Sequence, residues 1–368
     1  MTSPAVAAEG DRTALGERPY TPSWADWIVG TIAAAPGSIW VAYVVLAGVS
    51  LAVVALEAAL SSRGLFGQDP AYFAYAIFHV GSLAGYHFLS RGGRSAWDAF
   101  RPAVDTDDMT SARRRAELST TPAVPGAVIY VVAVLAYLAL LAWSPEGFDL
   151  VGHSAAFVAV RVAAEAFWLA PMSFMVGYLL VRQVRIVSRL HRSVVTVDLL
   201  EPGPLHAMAR LTARSAIVLI LFQLLVFVPL PNVTAEARLA LILSSLPFIG
   251  LSVAAFFVPL RGYQSRLASE KRVRLASVNR RIEQAAASLH AVVDAATAEA
   301  LDPETARLAQ TRMDALNKAL SSLLQEREFV GKLSTWPWDM STLRAVLTAV
   351  ALPIVLFLLT RLAERLLL

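Results

Sequence analysis

The sequence predicts an all-α integral membrane protein, a polytopic bundle of about seven transmembrane helices with a cytoplasmic antiparallel coiled-coil hairpin before the last span. Three observations predict this fold class. The chain is 57% hydrophobic and only 16% charged, with a mean hydropathy of +0.57, whereas soluble domains are roughly 25% charged. Its apolar residues come in runs of about twenty, the length that crosses a bilayer as a helix. One long segment, 262–330, lacks such apolar runs and instead has apolar residues at alternating steps of three and four, the periodicity of paired helices.

Six apolar runs are strong candidates for transmembrane helices, and a seventh is weaker. The strong runs are 39–59, 125–143, 155–181, 216–230 with its flanks, 239–260 and 343–362. The weaker run, 71–89, contains His79 and His87, although at 1.5 Å per residue it would still cross roughly 28 Å. If this run does not cross, the chain has six spans and its N-terminus lies outside. We favour seven spans.

The placement of arginine predicts the orientation, because basic residues collect on cytoplasmic loops. Arginines are frequent after the runs 71–89, 155–181 and 239–260, whereas 144–154 and 229–237 contain neither Lys nor Arg. We therefore expect a multi-pass protein of the plasma membrane with a cytoplasmic N-terminus and an external C-terminus. Its expected partner along most of its surface is the lipid bilayer.

Composition divides the chain into four parts. They are a disordered N-terminal tail (1–22), a transmembrane helical region (23–261), a cytoplasmic helical hairpin (262–330), and an interfacial elbow with the final transmembrane helix (331–368). Trp24 and Trp27 open an interfacial stretch before the first span, because aromatic rings with a polar edge favour the headgroup layer.

The hairpin is predicted from two apolar seams in an otherwise polar segment. The first seam contains Leu275, Val278, Ile282, Ala285, Leu289, Val292 and Ala296, and the second contains Ala309, Met313, Leu316, Leu320 and Leu323. Both alternate steps of three and four, and Asp302-Pro303 between them is a helix-start signal. A helix with one apolar stripe must bury it, so we expect the two helices to fold back on each other. This hairpin is expected to bind a cytoplasmic protein or a second protomer; the alternative is a spacer or internal brace.

Arg161 and Glu165 form the candidate intramembrane polar site. They lie four residues apart in an apolar run, so they share one helix face. A charge at this depth costs several kcal/mol unless it is paired or hydrated. One interpretation is a salt bridge that packs into the bundle, and the other is a substrate or ion path. Pro171 in the same run predicts a kink, and Glu57 in the first span is expected to reach the outer interface.

Trp336 and Trp338 immediately precede the last span and are predicted to be interfacial anchors. Asp339 or Ser341 is expected to cap the helix that follows. This segment would also set the angle at which the hairpin meets the membrane.

The sequence shows no catalytic motif, metal site or cofactor site. It has no cysteine, which excludes thiolate metal sites and thiol catalysis, and two histidines such as His79 and His87 are too few for a metal. The net charge of +4 is explained by cytoplasmic arginines, so nucleic acid is not an expected partner. A membrane enzyme acting on lipid would need the polar segment between His191 and His206, where no general base has an evident partner.

The function that these patterns favour is a non-enzymatic module that couples its membrane bundle to a cytoplasmic partner or a second protomer through the hairpin. The alternative is a channel or transporter with a polar path at Arg161 and Glu165.

Overall fold

The structure is a computed structural model, and it describes residues 19–67, 72–73, 75–143, 150–190, 203–227, 235–298 and 303–367. In these ranges the chain is helical, with no β-strand apart from one isolated antiparallel bridge between Pro22 and Pro122. Most of the predicted tail 1–22 lies outside the described residues. Its last residues, however, lie against the segment before the second long apolar helix, since Ala123 N–H donates to Thr21 O at 2.9 Å.

Ten helices make up the described parts of the chain. In order they are α1 (Trp24–Ala34), α2 (Ile39–Leu60), α3 (Tyr75–Phe100), α4 (Asp108–Ser119), α5 (Ala123–Trp143), α6 (Ala155–Leu190), α7 (Gly203–Phe227), α8 (Ala235–Ala298), α9 (Pro303–Lys332) and α10 (Met340–Leu367). Short 3₁₀ turns occupy Leu65–Gly67 and Arg101–Ala103.

Four helical stretches of the described residues are long and apolar enough to cross a membrane: Ile39–Leu60, Ala123–Trp143, Ala155–Leu190 and Gly203–Phe222. They make the chain compatible with an integral membrane protein. The weaker run 71–89 falls in α3, which is not among these four and continues through arginines to Phe100. The run 239–260 lies within α8, and 343–362 lies within α10, of which Met340–Leu352 counts as a shorter apolar helix.

Helix α3 lies at the centre of the bundle, against α2, α4, α6 and α7. Two hydrophobic clusters hold it there. In one, Trp97 and Phe100 pack with Met208 of α7 and Tyr263 of α8; all four are fully buried. In the other, the middle of α3 packs with α6 and with Ala25 and Val29 of α1. The short helix α1 is therefore part of the core of the bundle.

A π-helical turn interrupts α6 at Glu165–Leu169, just before the proline that the sequence expects to kink the helix. Pro171 has no N–H to donate, and the turn shifts the ladder so that Ala170 N–H donates to Glu165 O. The carbonyl of Phe167 instead accepts a hydrogen bond from the Tyr130 hydroxyl at 3.1 Å. An apolar bundle must satisfy every freed backbone group internally, and here α5 supplies the donor.

Gly93 of α3 allows the end of α4 to approach closely. A Cβ at this position would overlap the carbonyl oxygen of Leu118. That oxygen is fixed, because the buried side-chain amide of Gln183 donates to it at 2.7 Å and to Leu89 O at 2.9 Å. Gly177 of α6 is the opposite case, since nothing lies within 4 Å of the place a Cβ would occupy.

Helices α8 and α9 pack against each other in antiparallel directions. Lys271 Nζ donates to the carbonyl oxygens of Gly331 and Leu333 at 2.7 and 2.8 Å, and Glu326 lies 3.9 Å from Arg274 and 3.6 Å from Arg281. Every residue of the two predicted seams is buried or half-buried, whereas almost all other residues in 272–297 and 303–325 are exposed. The apolar stripes therefore face each other along the described length of the pair.

Replacing Gly93 by alanine should destabilise the bundle by about 2 kcal/mol, because the added methyl group displaces a hydrogen-bonded carbonyl. Gly177→Ala is the matched control and should change the free energy of unfolding by less than about 0.5 kcal/mol. Thermal unfolding of the two variants in the same detergent measures the difference. Equal stability of the two variants would contradict the close approach of α4 to α3.

Candidate functional site

The C-terminal end of α2 and the N-terminal end of α6 are tied together beside the candidate site. Ser154 caps α6, accepting from Phe157 N–H, and donates to the carbonyl oxygen of Leu60 at 3.2 Å. One residue earlier, His153 Nδ1 accepts from Ser62 N–H at 2.9 Å. These bonds place Glu57, about one turn before the end of α2, level with the second turn of α6.

Arg161 lies between two carboxylates at this level. Its Nη1 is 3.1 Å from Glu57 Oε1, and its Nε is 3.4 Å from Glu165 Oε1. The side chains of Glu57, Arg161 and Glu165 are 5%, 8% and 9% exposed. The site is therefore a buried charged triad contributed by two helices, and not the pair that the sequence predicts.

Aromatic residues close the triad on its remaining sides. The Tyr72 hydroxyl donates to Glu57 Oε1, and the Tyr137 hydroxyl of α5 donates to Glu165 Oε2. The guanidinium carbon of Arg161 lies 5.8 Å from the ring centre of Tyr75 and 5.9 Å from that of Phe157, within reach of a cation–π interaction. Each carboxylate thus has a hydroxyl donor besides the guanidinium.

The charges of the triad do not balance when all three groups are ionised, because two carboxylates face one guanidinium. Removing such groups from water costs several kcal/mol each, and only close pairing repays that cost. The arrangement can therefore hold α2, α5 and α6 together. Among the described residues, no group of three His, Asp or Glu side chains could hold a metal ion.

The expectation that Glu57 reaches the outer interface is wrong. Its side chain turns inward to Arg161 because a carboxylate near the apolar layer gains more from a guanidinium than from a half-hydrated position. A sequence signal for this contact does exist. Glu57 is the single charged residue of its apolar run, and Arg161 is the single basic one of the outer half of α6. Nothing comparable in the sequence indicates Tyr72 or Tyr137.

Trp336 and Trp338 stack on each other with ring centres 4.3 Å apart, but their environments differ. Trp338 packs on Phe256 and Phe257 of α8, each 5.4 Å away, whereas Trp336 is 41% exposed.

Asp339 caps α10, as the sequence predicts. Its Oδ1 accepts from Thr342 N–H at 2.6 Å and from the Ser341 hydroxyl at 2.7 Å. The hydrogen bond from the Thr342 amide, which favours the ionised form, lowers the pKa of Asp339 to about 2. The cap therefore stays ionised throughout the physiological pH range and holds the start of α10 at a fixed place beside Trp338.

The other polar residues singled out in the sequence do not converge. His87 Nδ1 pairs with the Tyr43 hydroxyl at 2.9 Å, and His79 Nδ1 pairs with Ser50 Oγ at 3.0 Å. In the polar segment between His191 and His206, residues 191–202 lie outside the described residues, and His206 lies near the start of α7.

Replacing Arg161 by methionine should destabilise the protein by about 3–5 kcal/mol, because it leaves two buried carboxylates facing each other without a cation. The triple variant Glu57→Gln, Arg161→Met, Glu165→Gln removes all three charges and should recover most of that loss. Thermal unfolding in detergent is the measurement, with Arg113→Met, which removes an exposed arginine paired with Glu117, as control. A triple variant no more stable than the single one would show that charge pairing is not what the site contributes.

Comparisons with known proteins assign no family to this site or to the chain. No protein-family model, no curated protein and no solved structure matches it. The function must therefore be inferred from the residues and their geometry.

Proposed function

We propose that the protein is a non-enzymatic membrane module that couples its helical bundle, through the hairpin 262–330, to a cytoplasmic protein or to a second protomer. The observation that carries the proposal is the continuity of α8, an unbroken helix of 64 residues. It joins the apolar run 239–260 directly to the hairpin. From 262 to its end it extends about 55 Å by the helical rise, so a force or contact at the tip would be carried to the bundle without an intervening loop.

The base of the hairpin is held in the bundle core, which supports coupling over a loose tether. Tyr263 donates its hydroxyl to Val187 O at 3.2 Å and packs edge-on against Phe100 at 6.1 Å. Leu267, one turn further on, is also fully buried. A rotation or tilt of the hairpin would therefore displace the ends of α3 and α6.

The return helix is held as firmly as the outgoing one. Lys271 binds the last carbonyls of α9, and Trp338 then packs on Phe256 and Phe257 before α10 begins. Both ends of the hairpin thus reach the same part of α8. We infer that the hairpin moves as one body with the cytoplasmic ends of the membrane helices.

We propose that α8 and α9 form a two-stranded antiparallel coiled coil in which the two apolar seams pack against each other. Only Val278 and Leu323 of the seam residues are fully buried, which is typical of a pair of helices with no third layer. The outer faces remain for a partner, and they include the exposed side chains of Val273, Leu308 and Phe329.

We further propose the topology that the arginines predict: seven spans, a cytoplasmic hairpin and N-terminus, and an external C-terminus. The arginines in the second half of α3 and in the last turns of α6 lie toward the same end of the bundle as the base of the hairpin, since Phe100 and Val187 both contact Tyr263. Basic residues collected at one end are typical of a cytoplasmic face.

A channel or transporter with a path at Arg161 and Glu165 has less support. Such a path would have to reach both residues, yet each is more than nine-tenths buried and held by aromatic neighbours. Neither of the two cavities described in this structure is lined by them. The sealed triad is the arrangement expected of a structural element in a coupling module.

The absence of cysteine makes the topology directly testable by single-cysteine labelling. Ser62→Cys, in the loop after α2, should react with a membrane-impermeant maleimide in intact cells. Ser321→Cys, exposed on α9, should react only after the membrane is opened. The reverse pattern would place the hairpin outside and refute the proposed orientation.

Shortening the hairpin tests the coupling. Deleting 281–294 together with 307–320 removes two heptads from each helix, keeps the seam in register and leaves the base at Tyr263 and Lys271 untouched. We expect crosslinking in native membranes to give a larger species with the intact chain, and we expect the shortened variant to lose this species while the thermal unfolding of its bundle is unchanged. The mass of that species distinguishes a second protomer from another protein.

A variant that restores the length of the hairpin tests whether a partner binds its outer faces or whether the hairpin acts only as a spacer. In it the deleted blocks are replaced by heptads that keep the native seam residues and carry Gln and Ala at the outer positions. If the outer faces bind the partner, this variant should also lack the crosslinked species. Recovery of the species would show that the hairpin acts by its length alone, and identical crosslinking in all variants would refute the coupling proposal.

A further inference from the structure

A basic cavity of about 610 Å³ lies between α1, α3 and α4, away from the charged triad. Its polar wall carries Arg91 and Arg94 of α3 and Arg115 of α4. Arg115 is paired with Asp98 outside the lining, at 2.8 and 3.1 Å, and Arg94 donates to Ser90 Oγ at 3.3 Å. Arg91 is exposed and, within the described part of the chain, has no acidic side chain in salt-bridge range. The wall is therefore strongly cationic.

Asp26 is the one acidic residue among those that line the cavity, and its carboxylate is committed to other partners. It accepts from the Tyr86 hydroxyl at 2.8 Å, from Thr121 N–H at 2.9 Å and from the Ser23 hydroxyl at 2.8 Å. These bonds dock α1 onto α3 and the start of α5. Asp26 thus builds the cavity through these bonds and leaves the exposed Arg91 without an acidic partner in the described part of the chain.

The opposite wall of the cavity is apolar and leads to the membrane. It consists of Val29, Gly30, Ala33 and Ala34 of α1 and reaches Ile39, the first residue of the apolar helix α2. With α2 as a membrane span, this wall would lie at the bilayer surface and would present small side chains to lipid. A soluble anion would have no use for this wall, whereas an amphiphile with a charged head would contact both walls.

We propose that this cavity binds the phosphate group of an anionic membrane lipid. The phosphate lies against Arg91 and Arg94, which present planar guanidinium donors suited to its oxygens, and the start of the acyl region follows the small residues of α1 toward α2. The lipid fills the space between α1 and α3 and so stabilises the docking of α1 on the bundle. This role is independent of the hairpin and of the proposed coupling.

The test uses the full chain in neutral detergent, incubated with equimolar phosphatidylcholine and phosphatidylglycerol, with bound lipids counted by native mass spectrometry. We expect preferential retention of phosphatidylglycerol. In Arg91→Gln/Arg94→Gln its affinity should fall about 25-fold, since each basic side chain near an anionic headgroup contributes about fivefold. The matched control is Arg113→Gln/Arg114→Gln, which removes two charges from α4 that pair with Glu117 and do not line the cavity.

A second variant acts through the shape of the site and alters no charge. Nothing lies within 4 Å of the position of a Cβ on Gly30, so Gly30→Leu can fill the apolar wall without strain and should also weaken lipid retention. Lipid-free thermal unfolding checks that each variant is folded. Three outcomes would overturn the proposal. The two double arginine variants could lose phosphatidylglycerol affinity equally, or Arg91→Gln/Arg94→Gln could keep the lipid preference of the intact chain. The third outcome is full displacement of the lipid by excess inorganic phosphate. The last outcome would assign the cavity to free phosphate.

Discussion

The charged triad of Glu57, Arg161 and Glu165 joins α2 to α6 and, through the Tyr137 hydroxyl, joins α5 to α6 at one level of the bundle. Lipid tails are as apolar as leucine, so helices in a bilayer gain little from simply burying hydrophobic surface against each other. A charged group in the same place has no comparable alternative to its partners, because leaving it unpaired costs several kcal/mol. Glu57, Glu165 and their tyrosine donors therefore specify which helices are neighbours more strongly than apolar packing does. They also specify how these helices are aligned along the bundle axis.

The same constraint explains the less regular parts of the bundle. The π-helical turn before Pro171 frees a carbonyl, and a tyrosine from α5 satisfies it. At the other end of α6, the Gln183 amide donates to the buried carbonyl oxygens of Leu89 in α3 and Leu118 in α4, where Gly93 permits the contact. In both places a side chain from a neighbouring helix donates a hydrogen bond to a backbone carbonyl oxygen. A movement of α6 would have to break these hydrogen bonds to α3, α4 and α5 together.

Both proposals, the coupling through the hairpin and the lipid site, involve helix α3. Tyr263 and Trp338 fix the hairpin to the ends of α3 and α6, and α3 also carries the arginines of the basic cavity. A partner that tilts the hairpin and a lipid that holds α1 against the bundle would therefore act on the same helix. That helix, α3, is more polar than the four candidate spans and lies at their centre.

The sequence by itself determined the all-helical class, the apolar helices and the positions of the two apolar seams in 275–323. Each depends on periodicity or on the length of an apolar run, which are local properties. It also placed Arg161 and Glu165 on one face, since four residues make about one helical turn. The seven-span count and the orientation remain predictions from the arginines, and the structure independently supports four spanning helices.

Only the tertiary structure decided which distant residues meet. Glu57 and Arg161 are 104 positions apart, and no local pattern in the sequence states that α2 and α6 are neighbours. The same holds for Asp26, which has no apparent role in the sequence and proves to hold α1 against α3 and α5. The pairing of Glu57 with Arg161 was not predicted, for the same reason. A carboxylate near the end of an apolar helix is hydrated or paired according to the side chains that the neighbouring helix places beside it. Local spacing fixes the face of a helix on which a side chain lies, but the partner on that face comes from the packing of the whole bundle.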